Sequence, residues 1–305
     1  MINKLYLFFL LFIFTPIFVC AQSEKELFDK AMEKYNKTEY KNAIDLFTQA
    51  IAKNNNFKEA IFNRGISYQK IKEYNNAIND YMKFLSIDST NFMTCFNLGV
   101  CFDMIGKSKE SVRAYTNAIQ INPKDKYVYF NRAFMYDKLN LYDKAIADFN
   151  KAKELDPLNT QIYFSMGVIY DRMNQINKAI ECYTKAIGIN KKFTNVLFNR
   201  AFDYNQLGED ERAIDDYSSV INIDPVFANA YFNRAYTFSN LRKYKEAIDD
   251  YSKSIGLNYK LTDSYFNRGL AKANLGNFID ACADIKQSAA IGDEEAKKYL
   301  KQNCK

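Results

Sequence analysis

The sequence contains no histidine and no tryptophan, and only four prolines and ten glycines in 305 residues. Without histidine the chain lacks the commonest general base, the commonest metal ligand and the one side chain that titrates unperturbed near neutrality. Its six cysteines form no CxxC pair and no zinc spacing, and neither a Walker loop nor a dinucleotide fingerprint occurs. No metal, cofactor or enzymatic activity is therefore expected. Charge of one sign is also missing: 42 basic residues are interspersed with 36 acidic ones, for a net charge of +6. Such a mixed surface lacks the basic stripe that nucleic acid requires, so no nucleic-acid partner is expected. Asp215-Asp216 and Asp249-Asp250 resemble acidic dyads, but consecutive residues diverge on a helix, so neither is a catalytic pair.

One apolar run stands apart. Lys4 gives a short positive start, Leu5 to Phe14 is apolar, and Val19-Cys20-Ala21 has the small residues of a signal-peptidase site. Residues 1–21 are read as a cleaved signal peptide, with Gln22 first in a mature chain exported to the periplasm or beyond the cell. The alternative is a membrane anchor through residues 5–21, which Thr15-Pro16 interrupts and which is marginal in length for a span. No stable membrane span is expected after cleavage.

What the chain has in excess is tyrosine and phenylalanine, and they recur in order. Tyr129-Phe130-Asn131-Arg132-Ala133 returns as Tyr231-Phe232-Asn233-Arg234-Ala235 and as Tyr265-Phe266-Asn267-Arg268-Gly269. Looser copies begin at Leu27, Ile61, Cys95, Tyr163 and Leu197, each 34 residues after the one before. A strict period of this length marks a stack of identical supersecondary units. Eight units start near residues 24, 58, 92, 126, 160, 194, 228 and 262 and fill residues 22–292. Within the fourth, Tyr129, Ala133 and Tyr136 define one helical face, and Ala145, Ile146, Phe149 and Ala152 a second. Pro123, Pro157 and Pro225 all follow the second helix, where the missing amide hydrogen ends it.

Small residues have fixed places. The eighth position is always Ala or Gly and the twentieth is Ala, save Ser111, so two helices of a hairpin can approach closely. A large ring four residues later (Phe47, Tyr81, Tyr115, Phe149, Tyr183, Tyr217, Tyr251) fills the space beyond. With Gly or Ala, Tyr, Ala, aromatic, Ala and Pro at these offsets, the chain closely resembles the tetratricopeptide-repeat family. The resemblance implies an all-α, right-handed superhelical solenoid of eight helix-turn-helix units, with a concave face lined mainly by the first helices. Residues 293–305, with Asp293 as N-cap and Ala296, Tyr299 and Leu300 as one stripe, are read as a C-terminal capping helix.

Arginine occupies the seventh position in five units, and sixteen residues later those five carry aspartate: Arg64 with Asp80, Arg132 with Asp148, Arg200 with Asp216, Arg234 with Asp250, Arg268 with Asp284. The other three units carry Leu46, Ala114 and Cys182 at the second place. An antiparallel hairpin brings these positions together, so structural ion pairs are expected rather than an anion-binding ladder.

Three columns are left for a ligand. The fifth position is Phe in every unit, and Phe62, Phe96, Phe130, Phe164, Phe198, Phe232 and Phe266 are candidate groove contacts, joined by Phe134 and Phe202 from the apolar ninth position. The bland reading is that these rings cement neighbouring helices; the sharper one is an apolar groove for a peptide. The sixth position supplies Asn63, Asn97, Asn131, Asn199, Asn233 and Asn267, whose amides can pair with an extended backbone whatever its side chains. This column resembles the asparagine ladder in the repeat arm of O-linked N-acetylglucosamine transferase, which implies sequence-tolerant peptide binding. The carboxylate clamp of chaperone-binding relatives needs Lys at position five and Asn at position nine, and neither is present. A non-enzymatic scaffold for a protein or peptide partner is the leading reading; a carbohydrate- or nucleic-acid-binding solenoid using the aromatic groove is the alternative.

Cys95 and Cys182 fall in core columns. Cys282 lies in the last second helix and Cys304 follows the capping helix that should fold back on it, so a disulfide is expected there, contributing roughly 3 kcal/mol.

Overall fold

Each repeat folds as two helices because its fifteenth residue turns left-handed. Thr38, Lys72, Gly106, Asn140, Asn174, Gly208, Arg242 and Gly276 all have φ between 55° and 82°. The next amide then reaches back to a carbonyl five residues earlier, as from Glu39 to Lys34 (3.0 Å) and from Lys107 to Phe102 (2.8 Å), which closes the helix end. Only the three glycines adopt this conformation without a steric cost.

A computed structural model describes residues 22–304, so the expected leader, residues 1–21, lies outside the described residues. Among these there are seventeen helices and no strand. Residues up to Ile121 form one compact unit of three hairpins: α1 (Glu24–Asn36) with α2 (Tyr40–Lys53), α3 (Lys58–Lys70) with α4 (Tyr74–Ile87), and α5 (Phe92–Met104) with α6 (Ser108–Ile121). The second unit, from Asn122, holds five more: α7 (Lys126–Lys138) with α8 (Tyr142–Leu155), α9 (Thr160–Arg172) with α10 (Ile176–Ile189), α11 (Thr194–Gln206) with α12 (Asp210–Ile223), α13 (Ala228–Asn240) with α14 (Tyr244–Gly256), and α15 (Leu261–Asn274) with α16 (Phe278–Ile291). A last helix, α17 (Glu294–Asn303), packs on α16. In both units the hairpins stack in chain order, which is the all-α solenoid packing expected from the period.

The core is built where the two helices of a hairpin meet. Ala31, Ala133, Ala201 and Ala235 at the eighth position are fully buried, as are Phe47, Tyr81, Phe149, Tyr183, Tyr217 and Tyr251 across from them. Burying one such ring contributes about 2–3 kcal/mol. Gly65, Gly99 and Gly167 appear where the facing tyrosine presses closest: a Cβ on Gly65 would lie 2.8 Å from Cε1 of Tyr81. That approach lets the Tyr81 hydroxyl donate to Gln69 Oε1 at 2.9 Å. Gly65→Ala is expected to lower stability by about 1–3 kcal/mol in a denaturant titration, despite the better helix propensity of alanine, because the buried Tyr81 ring must shift away from Gln69 to make room.

The carboxyl end is closed by its own chemistry. Asp293 Oδ1 accepts from the amides of Glu295 and Ala296 at 2.9 and 3.2 Å, and Asp293 Oδ2 accepts from Ser288 at 2.7 Å. Ala296 is fully buried, Tyr299 packs edge-on against Phe266, and Cys282 is bridged to Cys304 with their Cα atoms 5.8 Å apart. Cys95 and Cys101 are buried free thiols, and Cys182 is half-buried.

Candidate functional site

The repeated arginines are each engaged by an aspartate of their own repeat. Arg64 Nε and Nη2 donate to the two oxygens of Asp80 at 2.8 and 2.6 Å, and the same two-point geometry joins Arg132 to Asp148, Arg200 to Asp216, Arg234 to Asp250 and Arg268 to Asp284. The third nitrogen reaches across to the preceding hairpin: Nη1 donates to Thr48 from Arg64, to Thr184 from Arg200, to Ser218 from Arg234 and to Ser252 from Arg268, at 2.8–3.0 Å. The side chains of these arginines are only 15–18% exposed. Burial pulls Arg64, Arg132 and Arg200 down, but the bonded aspartates more than offset it and hold each guanidinium above its ordinary value. A guanidinium so held ties two hairpins together and has little left for an anion.

The hydroxyl column was not singled out from the sequence, although its signal is there. Thr48, Thr116, Thr184, Ser218 and Ser252 stand sixteen residues before the five arginines, whereas Met82 and Asn150 stand before Leu98 and Met166.

The fifth-position rings lie against their own hairpins. Phe28, Phe62, Phe96, Phe130, Phe164, Phe198 and Phe232 each have their centroid 5.6–6.2 Å from the large ring of the second helix. Phe164 and Phe198 touch a second ring, Phe193 or Phe227, at the end of the same repeat. Phe232 is buried, while Phe62, Phe96, Phe130, Phe164, Phe198 and Phe266 are half-buried. The Phe134 ring stands edge-on to both Phe130 and Phe149, at 4.9 and 5.4 Å. These rings serve mainly as mortar, with one edge left at the surface.

The sixth-position amides are half-buried along the first helices. Asn63 and Asn233 each give one donor to the carbonyl four residues back, at 2.7 and 2.9 Å, and Asn199 donates to the Tyr183 hydroxyl at 3.3 Å. The most open stretch of the row is in the sixth and seventh repeats, where Phe202 is 48% and Tyr236 51% exposed. Tyr236 occupies the column of Phe134 and Phe202, so its place was readable from the period alone.

Phe202, Asn199 and Asn233 line a cavity of about 390 Å³ that also receives Asp171, Asp203, Phe198, Gln206, Tyr259 and Lys260. Asp203 is the anomaly. It stands at the tenth position of its repeat, a buried column otherwise filled by Ser67, Cys101, Met135, Ile169, Thr237 and Ala271 in the repeats from the second onward. Ser67 and Thr237 satisfy their hydroxyls on the carbonyl four residues back, which a carboxylate cannot do. Asp203 is 1% exposed, and its Oδ2 has no hydrogen-bond partner among the described residues. Asp171, on α9, accepts from Tyr183 at 2.5 Å through Oδ2, while its Oδ1 is likewise without a partner. Burial, reinforced by the Asp171 charge and by a hydrogen bond between the two carboxyls, pushes Asp203 up to about 8, and burial raises Asp171 against the pull of Tyr183 and Asp203. Lys260 lies on the same cavity with its ammonium 4.7 Å from the centre of the Phe232 ring.

A cavity of similar size in the first unit lies between Ile66, Asn97, Val100 and Met104, but its charged residues are Lys70 and Lys72. Among the described residues no cluster of metal-ligating side chains occurs, and no helix is long and apolar enough to cross a membrane.

Comparison with known proteins follows the repeat. Models described as tetratricopeptide repeat match residues 58–91, 127–159, 160–193 and 228–258, and one described as TPR repeat matches residues 203–241, together more than half of the chain. No curated protein matches it. Among solved structures, the MamA protein is 25% identical with a TM-score of 0.54, over 55% of this chain and 92% of that one. MamA from residue 41 onward, from Desulfovibrio magneticus RS-1, is 19% identical with a TM-score of 0.53, over 56% and 96%. YrrB, described as a TPR protein with an unusual peptide-binding site, is 18% identical with a TM-score of 0.51, over 58% and 91%.

Proposed function

The chain belongs to the tetratricopeptide-repeat family, and from that premise we propose that it is a non-enzymatic scaffold that holds a polypeptide partner along its first helices. The observation that carries this reading is the exposed row in the sixth and seventh repeats. Asn199 and Asn233 stand one period apart, with the open rings of Phe202 and Tyr236 one helical turn further along. Amides at a repeat spacing suit the backbone of an extended chain, and half-exposed rings suit its side chains. The other candidates of the row, Phe62, Asn63, Phe96, Asn97, Phe130, Asn131, Phe134, Phe164, Phe198, Phe232, Phe266 and Asn267, offer narrower contacts of the same kind. The pairing of every repeated arginine with its own aspartate argues against an anionic ligand, and the mixed charge argues against nucleic acid.

Export through residues 1–21 belongs to the same proposal. It is supported by the Cys282–Cys304 bridge, since disulfides persist in oxidising compartments. The mass of the mature amino terminus tests it directly, with Gln22 expected first.

A photoreactive phenylalanine at position 202 or 236 is expected to capture a polypeptide in the native envelope, and one at Lys185 on α10 is not. Replacing Asn199, Asn233 and Tyr236 together by alanine should reduce capture about tenfold or more without loss of helicity, the effect of removing a few central contacts. Capture confined to second-helix positions would move the binding face elsewhere and overturn the assignment.

A further inference from the structure

The scaffold reading leaves the partner's chemistry open, and the acid pair beneath the groove bears on it. Two carboxyl groups from neighbouring repeats meet at one cavity, one of them nine-tenths buried and more, and beyond the hydrogen bond they make to each other, which needs a proton, one oxygen of each finds no donor. Two facing carboxyls that must share a proton for want of a cation are costly to bury, and the place of Asp203 in a column of hydroxyl and apolar residues shows that packing does not require it. The groups facing Asp203 are Asp171 on α9, Tyr183 on α10 and Tyr217 on α12, none of them a cation. Lys260 lies on the same cavity but is exposed, with its ammonium over the Phe232 ring.

Resting on the scaffold reading, we propose that this cavity receives a lysine or arginine side chain of an extended peptide, its cation held between Asp171 and Asp203. The apolar stem lies along Phe198 and Phe202, as long basic side chains do on apolar walls. Asn199 and Asn233 hold the peptide backbone on either side. Charge-assisted bonds satisfy the two open carboxyl oxygens, and a proton held by the pair leaves to solvent when the cation enters. The Tyr183 hydroxyl, already bonded to Asp171 and Asn199, keeps the Asp171 carboxylate turned to the cavity.

The test is calorimetric titration of the full chain at pH 8.5 with blocked pentapeptides of alanine carrying Lys, Arg, norleucine or Glu at the centre. The Lys and Arg peptides are expected to bind about tenfold or more tightly than the norleucine peptide, the worth of a hydrogen bond to a charged group. Asp203→Asn, which keeps the shape and removes the charge, should erase that preference, and wild-type affinity for the Lys peptide should fall as pH drops to 6. If the peptides bind with no preference for a basic centre, or Asp203→Asn keeps the preference, the basic-residue assignment is wrong while the scaffold reading stands. If no peptide of the set binds, the assignment and the peptide-groove reading fall together.

Discussion

Asp250→Ala is expected to destabilise the protein by about 3–5 kcal/mol, the effect of stranding a buried guanidinium. Arg234 would keep its bond to Ser218, 2.8 Å away, but lose both bonds to Asp250 in an environment from which water is largely excluded. The companion experiment separates the pair from the charge. Adding Arg234→Leu to Asp250→Ala reproduces what the third repeat already has, Leu98 and Ala114, which are buried with no ion pair between them. The double variant should recover most of the lost stability in a urea titration, because two ions no longer have to be desolvated. That recovery is foreshadowed in Asp250 itself, which burial holds above the ordinary carboxylate range even against the pull of Arg234. Ser218 is not orphaned by the change, since its hydroxyl still donates to the Ile214 carbonyl at 2.6 Å. Equal loss in the single and double variants would show that the arginine contributes packing rather than charge pairing.

The second large effect is a loss of stability as pH rises. Asp203 binds its proton with a pKa of about 8 in the folded chain, against about 3.9 in an unfolded one. Between these values the native state holds a proton that the unfolded state has released, so stability falls as pH increases, by at most about 1.4 kcal/mol per pH unit. The stabilising contribution is complete below the unfolded value and is lost through the folded one, with Asp171 shifted in the same direction. Melting temperatures taken from pH 5 to pH 9 should therefore decline in the wild type. In Asp203→Thr, which copies the seventh repeat at this position, the decline should largely vanish and the protein should be the more stable of the two at pH 9. A wild-type profile as flat as the variant's would mean that Asp203 is ionised and solvated in the folded chain.

Much of the architecture was legible because the chain repeats itself. A left-handed turn residue or a glycine is ambiguous once, but small residues at positions eight and twenty in unit after unit identify a hairpin seam. The Arg–Asp relation was readable as covariation between repeats of one sequence. Its third member, the hydroxyl sixteen residues upstream, required knowing that the arginine also faces the previous hairpin. The fifth-position phenylalanines were ambiguous in the sequence: a constant apolar column looks the same whether it lines a groove or mortars a seam, and contacts such as Phe198 with Tyr217 and Phe227 decide. Asp203 was illegible for the opposite reason. One aspartate in a mildly polar helix reads as surface until burial of the whole tenth column is known, and only then does a carboxylate among Met135, Ile169 and Thr237 stand out.

The arginine bonds to the preceding hairpin also distribute the compliance of the second unit unevenly. The seams between the fifth and sixth, sixth and seventh, and seventh and eighth repeats are each pinned by a directional bond from Arg200, Arg234 or Arg268. Between the fourth and fifth, the corresponding residue is Met166, which packs among apolar neighbours, and the polar links are exposed ones, the Arg172 guanidinium on Asp137 and the Tyr163 hydroxyl on the Pro157 carbonyl. Apolar surfaces slide where a directional bond resists, and an exposed ion pair is weakened by salt. Bending of this unit is therefore expected first at the seam between α8 and α9. The last four repeats share pinned seams, so the spacing of Asn199 and Asn233 is expected to change little when a ligand arrives.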